Sequence, residues 1–556
     1  MLTPASAPAQ EWIERGEEAL RQANWLRAKD CFAAALQHEK TALAHDGLGQ
    51  ALWWLNEIEE AHKQRAAAYL SYKEQGEWGK AAVVAVWLGR EQLFLADNAS
   101  AMMGWFARAD RLLKQTDPCV EQSWCALFKA SILADAETLA HIADETVAQA
   151  QIYADSTLEA LALAFYGMAE VSRGRVEPGL RALDEAMVAV ISGELNNFMA
   201  VSELFCVTLS AGELSGDLAR AEQWCQMAAD YAERYQCSFL SAYCRTTYGG
   251  LLTMSGRWDK AETELVGAIQ AFEAGHRALR VHAVLKLADL RVCQGRLEEA
   301  ELLLRGYEDL SAAALPLARW HLARGEVALA QAIMQQRLPA PSAQTLHHIP
   351  LLLLYVEVLL ALEQVDEARQ IAGQLTTLAG ETQSDLLLAQ AEFALGRVER
   401  QYPLQAATHF QTSLAQLERI EQSLLASRAR LEMAQLLQES DWAGAVTWAR
   451  AALASFTRLG ATYEANAAAA LLRQLGVQPH TGPRLPDSIT QREMEVLLLL
   501  VRSLSNREIA TRLVLSEKTV EHHVSQVLSK LGVRNRAAAA AVAISAGILE
   551  QNKGNE

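Results

Sequence analysis

The segment EWIERGEEALRQANWLRAKDCFAAAL, residues 11–36, carries the pattern that decides the fold. Trp12, Gly16, Ala19, Ala28, Phe32 and Ala35 stand at fixed offsets: Gly16 to Ala28 is 12 residues, and Phe32 and Ala35 follow four and three further on. Small residues on one helix let a facing helix come close, and an aromatic ring fills the hole beside them. Gly49, Leu52, Ala61 and Ala68 form a second unit, 33 residues after the first. Looser copies follow around Gly167, Gly174, Gly179, Leu183 and Ala186, then around Gly216, Ala221, Cys225 and Ala228. A clearer one holds Gly249, Gly256, Trp258, Ala261, Leu265 and Ala268, and others surround Gly295 and Ala300, Ala368 and Ala445. The turns Ser215-Gly216-Asp217, Ser255-Gly256-Arg257 and Gln294-Gly295-Arg296 each precede an alanine at the same offset. Ala221, Ala261 and Ala300 lie about 40 residues apart, which predicts long helices.

Strand signals are nearly absent, and helix formers dominate. From about residue 8 to 475 the chain resembles tetratricopeptide repeat proteins, closely at the N-terminus and loosely later. The resemblance implies an all-α solenoid over residues 1–476. Its concave groove would take an effector or a protein partner. A helical bundle without repeats is the alternative.

At 556 residues the chain is too long for one core. With 51% hydrophobic residues it is not a disordered chain. No run of 18 apolar residues exists, so no membrane span is expected, and Met1–Gln10 lacks the basic start of a secretory signal. Eight cysteines without a Cys-x-x-Cys pair make neither a disulfide scaffold nor a zinc module, which fits a reducing cytoplasm. Net charge is −17, unevenly placed. Residues 484–556 hold 10 Lys+Arg against 8 Asp+Glu, net +2, and the remainder holds 40 against 59, net −19. An acidic body repels nucleic acid, and a basic end can bind it.

Between Gly476 and Pro486 stand three prolines and two glycines, a linker over residues 477–486. The module after it spans residues 487–550. Thr490 and Glu493 form a capping box for a first helix, through the apolar run Met494–Val501. Ser505 with Glu508 caps a second helix to Leu513, and Ser516 caps a third from Glu517 to about Leu531, ended by Gly532. A fourth runs from about Asn535 to Gly547. Helix, short turn and helix read as a helix-turn-helix, whose second member enters the DNA major groove. Ile509, Leu513, Val520, Val524 and Leu528 form the inward face.

The series Thr490, Arg492, Glu493, Ser505, Asn506, Glu508, Ile509, Ala510, Leu513, Ser516, Thr519, Val520, His523, Val524, Lys530, Leu531, Gly532, Val533 and Arg536 is similar to the DNA-binding domain of LuxR-type transcription factors. About 65 residues share it. Ser503 departs from the usual glycine, and Glu521 from a commonly basic residue. A carboxylate there accepts from cytosine N4, where lysine donates to guanine. The resemblance and the helix geometry together make Glu521, His522 and Ser525 candidates for base edges. Lys518, Thr519, His523, Lys530, Arg534 and Arg536 are candidates for phosphate contacts. An internal pair or a solvated charge is the alternative for Lys530 and Arg536. The alanine-rich fourth helix, Ala537 to Ala543, is a dimerisation element in that family.

No catalytic constellation is present. Gly79-Lys80 is followed by Ala81, so it is no phosphate-binding loop, and His38-Glu39 lacks the second histidine of a zinc protease. The adjacent His522 and His523 point about 100° apart on a helix, so no metal site is expected there. The expectation is a cytoplasmic, homodimeric transcription regulator without cofactor, acting on double-stranded DNA and not on a membrane. A repeat scaffold in which the DNA-binding module plays a minor role is the alternative.

Overall fold

The computed structural model describes residues 7–478 and 491–545, apart from 97, 196, 236, 275–278, 342–344, 381, 383, 421, 502, 503, 514, 532 and 534. Among them are 29 α-helices and no strand. The chain divides into two compact units, Met1–Gln422 and Ser423–Glu556.

The first unit is a run of antiparallel helix pairs. They are α1 (Ala7–Arg21) and α2 (Trp25–His38), α3 (Ala42–Trp54) and α4 (Ile58–Glu74), and α5 (Trp78–Ala96) and α6 (Ala99–Leu113). Next come α7 (Val120–Leu133) and α8 (Ala136–Tyr153), α9 (Ser156–Ser172) and α10 (Val176–Ile191), and α11 (Phe198–Ser215) and α12 (Leu218–Arg234). Then follow α13 (Ser238–Ser255) and α14 (Trp258–Ala274), α15 (Arg280–Cys293) and α16 (Leu297–Leu304), and α17 (Ala314–Ala323) and α18 (Val327–Arg337). The last are α19 (Ile349–Ala361) and α20 (Val365–Gly380), and α21 (Asp385–Val398) and α22 (Pro403–Arg419).

The repeat signature is a packing signature. Ala28, Ala35, Ala61, Ala68, Ala221, Ala261, Ala300 and Ala368 are all fully buried. A methyl group built on Gly16 would come within 2.8 Å of the Phe32 ring, so the glycine is what lets α1 close on α2. Gly167 and Gly179 face each other the same way across α9 and α10. At the end of α11, Gly216 takes the left-handed conformation (φ +71°) that ends the helix, and its amide bonds back to Gly212.

From α5 to α21 each odd helix also packs on the next odd one. Arg90 of α5 donates to Glu203 of α11 at 2.6 Å, past the intervening α7 and α9. The odd helices therefore line the inside of the coil, and their own side chains occupy much of it. The Arg90 guanidinium sits 4.5 Å over the Phe128 ring, and Lys286 of α15 pairs with Glu213 of α11 above Gly250.

Among the described residues the coil meets itself in two further places. Phe198 opens α11 and lies 4.9 Å from Trp25 and 4.8 Å from Trp54, which stack on each other at 5.4 Å. Tyr231 and Tyr235 of α12 and its C-cap cover the other side of Phe198, at 5.3 and 5.6 Å. Further along, Ser172 Oγ meets His347 Nε2 at 3.3 Å, and Ser384 Oγ donates to the Ser215 carbonyl at 3.3 Å. Leu386 of α21 rests on Gly216, where a methyl group would come within 2.2 Å of its Cδ2. His347 lies in the 3-10 turn Leu346–His348 that opens α19.

Among the described residues one helix, α11, is long and apolar enough to cross a membrane, with mean hydropathy 1.3. It is mostly buried, packed against α9, α12 and α13, which explains its composition as a core helix.

The second unit holds α23 (Ser423–Leu437), α24 (Trp442–Leu459), α25 (Thr462–Gln474), α26 (Gln491–Val501), α27 (Asn506–Leu513), α28 (Glu517–Lys530) and α29 (Arg536–Ser545). The repeat-like sequence thus runs past residue 422. In α23–α25 Ala445 is fully buried, and Arg428 pairs with Glu464 at 2.6 Å. The fold as a whole is a tetratricopeptide-like α-solenoid followed by a four-helix module.

Candidate DNA interface

Local sequence chemistry builds the module. Ser505 and Glu508 cap α27 reciprocally: the Ser505 amide donates to Glu508 at 2.7 Å, and the Glu508 amide to Ser505 Oγ at 3.3 Å. Those bonds from Ser505 hold the Glu508 carboxyl below its ordinary range. Ser516 Oγ accepts from the Thr519 amide and starts α28, and Asn535 accepts from the Ala538 amide and starts α29. Helix α26 begins at Gln491, three residues before the apolar run. The expected cap at Thr490, the departure at Ser503 and the terminal Gly532 lie outside the described residues.

The core has two halves. Ile509 and Val520, with Leu513 and Val524, pack against Val496, Leu499 and Leu500 of α26. Leu528 belongs instead to a second cluster around Leu497, Val527 and Ala539. The residue of α28 buried at its C-terminal end is Val527, one position before the Leu528 expected from the pattern. A helix advances 100° per residue, so its inward stripe drifts from α27 toward α26 and α29.

That burial leaves one face of α28 to solvent. Lys518, Thr519, Glu521, His522 and Ser525 are exposed together, and His523 is half-buried. These six are sequence candidates that the helix brings onto or beside one surface. Lys530 and Arg536 are placed differently. The Lys530 ammonium donates to both carboxylate oxygens of Glu493, at 2.8 and 2.7 Å, and Glu493 is only 6% exposed. Arg536 donates to the Leu504 carbonyl. Arg534 lies outside the described residues. Sequence reading passed over Arg507 and Arg512 of α27, both exposed. The signal for them is present, since two arginines five apart lie on the helix that precedes the exposed one, with Arg507 3.9 Å from Glu517. It also took Arg492 only as part of a motif. The Arg492 guanidinium donates to the Leu513 carbonyl at 2.7 Å and to Glu495 at 2.6 Å.

The described residues hold no cluster of three or more His, Cys, Asp or Glu side chains suited to a metal ion.

Residues 487–543 match the profile of the bacterial regulatory proteins of the luxR family. The chain is 45% identical over 62 residues to the spore germination protein GerE of Bacillus subtilis, covering 84% of that protein and 11% of this one. It is 47% identical over 60 residues to the transcriptional regulatory protein LnrK of Bacillus subtilis, and 42% identical over 66 residues to the response regulator VraR of Staphylococcus aureus. It spans 27% of the former and 32% of the latter, and these matches take up 11% and 12% of this chain. Among solved structures, a chain of the APC/C hetero-tetramer Cut9-Hcn1 is 14% identical, with 84% of this chain and 97% of that one covered and a TM-score of 0.42. A Rap protein complexed with competence and sporulation factor is also 14% identical, with 69% and 99% covered and a TM-score of 0.38. Through its C-terminal module, the chain belongs to the luxR family of bacterial regulatory proteins.

Proposed function

We propose that the protein is a DNA-binding transcription regulator whose α28 enters the major groove. The single observation that carries this reading is the exposed face of α28. It gathers Lys518, Thr519, Glu521, His522 and Ser525 while Val520 and Val527 anchor the opposite side. Glu521, His522 and Ser525 read base edges. Lys518, Thr519 and His523 contact phosphates, joined by Arg507 and Arg512 where α27 crosses the backbone. A single module makes a small interface, so α29 pairs two copies on two half-sites.

The repeats receive the signal, as an effector or a protein partner, and govern when the module binds. The joint of α9 and α11 with α19 and α21 is the element that such a signal biases, because part of it is held by directional bonds, Ser172 to His347 and Ser384 to Ser215. The loosely matched repeats between residues 340 and 400 supply its second half.

The test compares fragments 423–556 and 1–422, the two compact units, with the full chain in gel shifts across a salt series. The C-terminal unit retains duplex DNA with an affinity that falls as salt rises, about 0.9 in logarithmic slope per phosphate contact. Fragment 1–422 does not bind. Equal retention by fragment 1–422 sinks the division of labour. Glu521→Lys shifts sequence preference more than general affinity, since a good base contact is worth about 1–3 kcal/mol of discrimination.

A further inference from the structure

We infer that Arg492 and Glu493, consecutive residues in the first turn of α26, are positioning residues that hold the two helices of the helix-turn-helix at a fixed angle, and that Lys530 serves DNA binding through Glu493 rather than by touching a phosphate. The inference rests on the DNA-binding reading above. Leu513 is the last residue of α27, and its carbonyl is one of those a helix end leaves without a helical partner. Arg492 fills that vacancy at 2.7 Å. Lys530 is the last residue of α28, and its ammonium is bonded twice to the nearly buried Glu493 carboxylate. Adjacent side chains of α26 thus grip the C-terminal ends of both helices.

The grip is directional. A buried carboxylate is tolerated only with a partner in good geometry, so the pair fixes where the end of α28 lies. Helix α28 has 14 residues, about 21 Å of length at the usual rise. A tilt of about 10° about its held end carries the Lys518 end by about 3–4 Å, more than a hydrogen bond to a base edge survives. Lys530 itself is three-quarters buried, with its charge turned inward, so its loss removes orientation and not a phosphate contact.

The experiment measures binding of full-length protein to a duplex selected from a random pool, across a salt series, together with amide exchange and thermal melting. The variants are Lys530→Met, Glu493→Gln, their double, Lys530→Arg and Lys518→Ala. Lys530→Met and Glu493→Gln each weaken binding about tenfold or more with an unchanged salt slope, and amides in the last turns of α28 exchange faster. The double variant is no worse than either single, because the two act as one unit. Lys530→Arg retains most of the affinity, while Lys518→Ala flattens the slope by about 0.9. If Lys530→Met melts early because it strands a buried carboxylate, the double variant, which buries none, still reports the coupling. A slope reduced by about 0.9 in Lys530→Met, with Glu493→Gln harmless, overturns the inference. If the full chain retains no duplex at low salt, the DNA reading fails, and the exchange of α28 amides alone decides whether the pair positions the helix.

Discussion

Where α11 closes on α2 and α3, three aromatic rings lie within 5.4 Å of one another. Where α9, α10 and α11 meet α19 and α21, two hydrogen bonds of 3.3 Å, Leu386 on Gly216, and Val176 and Leu214 packed against the apolar cluster of α17–α21 make the joint. The first joint draws on aromatic burial, which dominates core energetics. The second combines half-buried aliphatic packing with directional bonds that water can replace, each worth about 0.5–1.5 kcal/mol net. We take the first as the hard joint and the second as the soft one, expected to open first.

The largest effect belongs to the hard joint. Phe198→Ala costs about 3–5 kcal/mol, read by urea unfolding of the full chain. A cost below about 1 kcal/mol shows that the rings do not hold the first joint. Gly216→Ala comes next, at about 1–3 kcal/mol. It places an L-residue at φ +71° and pushes Leu386 off its seat. Amide exchange then rises around residues 384–388 while residues 198–205 stay protected. Equal loosening at both places makes the two joints a single unit and breaks the comparison.

Acid acts on the soft joint as well. Burial holds the His348 imidazole below its ordinary value of 6.5, and its Nδ1 accepts the Thr345 amide at 3.0 Å, a bond that protonation abolishes. A histidine whose folded value is depressed contributes fully above the unfolded value, and its contribution is lost as pH falls through the folded one. Between pH 7.5 and 5.5, exchange at residues 345–350 therefore rises before any loosening at Phe198. Burial holds the neighbouring His347 imidazole, which meets Ser172, below its ordinary value as well, so His347→Asn and His348→Asn together remove this pH dependence, and its survival in the double variant assigns it to another group. The smallest effect is that of Ser384→Ala, below about 1.5 kcal/mol, confined to the second joint by the same exchange measurement.

Both joints were hidden from sequence reading, and the reason is distance along the chain. Gly16 announces its partner because Phe32 is 16 residues away on the neighbouring helix, so one pair carries the whole signal. Ser172 and His347 at the second joint are 175 residues apart, and Trp25 and Phe198 at the first are 173 apart. Nothing local in either member names the other. The module shows the same contrast. The caps at Ser505, Ser516 and Asn535 are bonds within three residues, and they place its helices. Lys530 and Glu493 are 37 apart, and Arg536 and Leu504 are 32 apart. A basic residue in such a module reads as a candidate phosphate contact, and nothing in its neighbours announces a bond to a partner more than 30 residues away. The exposed face of α28 was legible because burial of one helix stripe determines the other.

The spacing of the joints constrains how such an array can change over generations. Ser172 ends α9 and meets the turn before α19, and Ser215 ends α11 and meets the start of α21: in both cases the partner stands ten helices on. At this joint one circuit of the coil is therefore five pairs, against about four at the first, where α11 meets α2 and α3. Deleting or duplicating a single pair inside that circuit would carry Leu386 past Gly216 and bring an unrelated residue to its seat. An array of this kind can lengthen at its ends, but an internal gain or loss of one repeat is a frameshift in three dimensions.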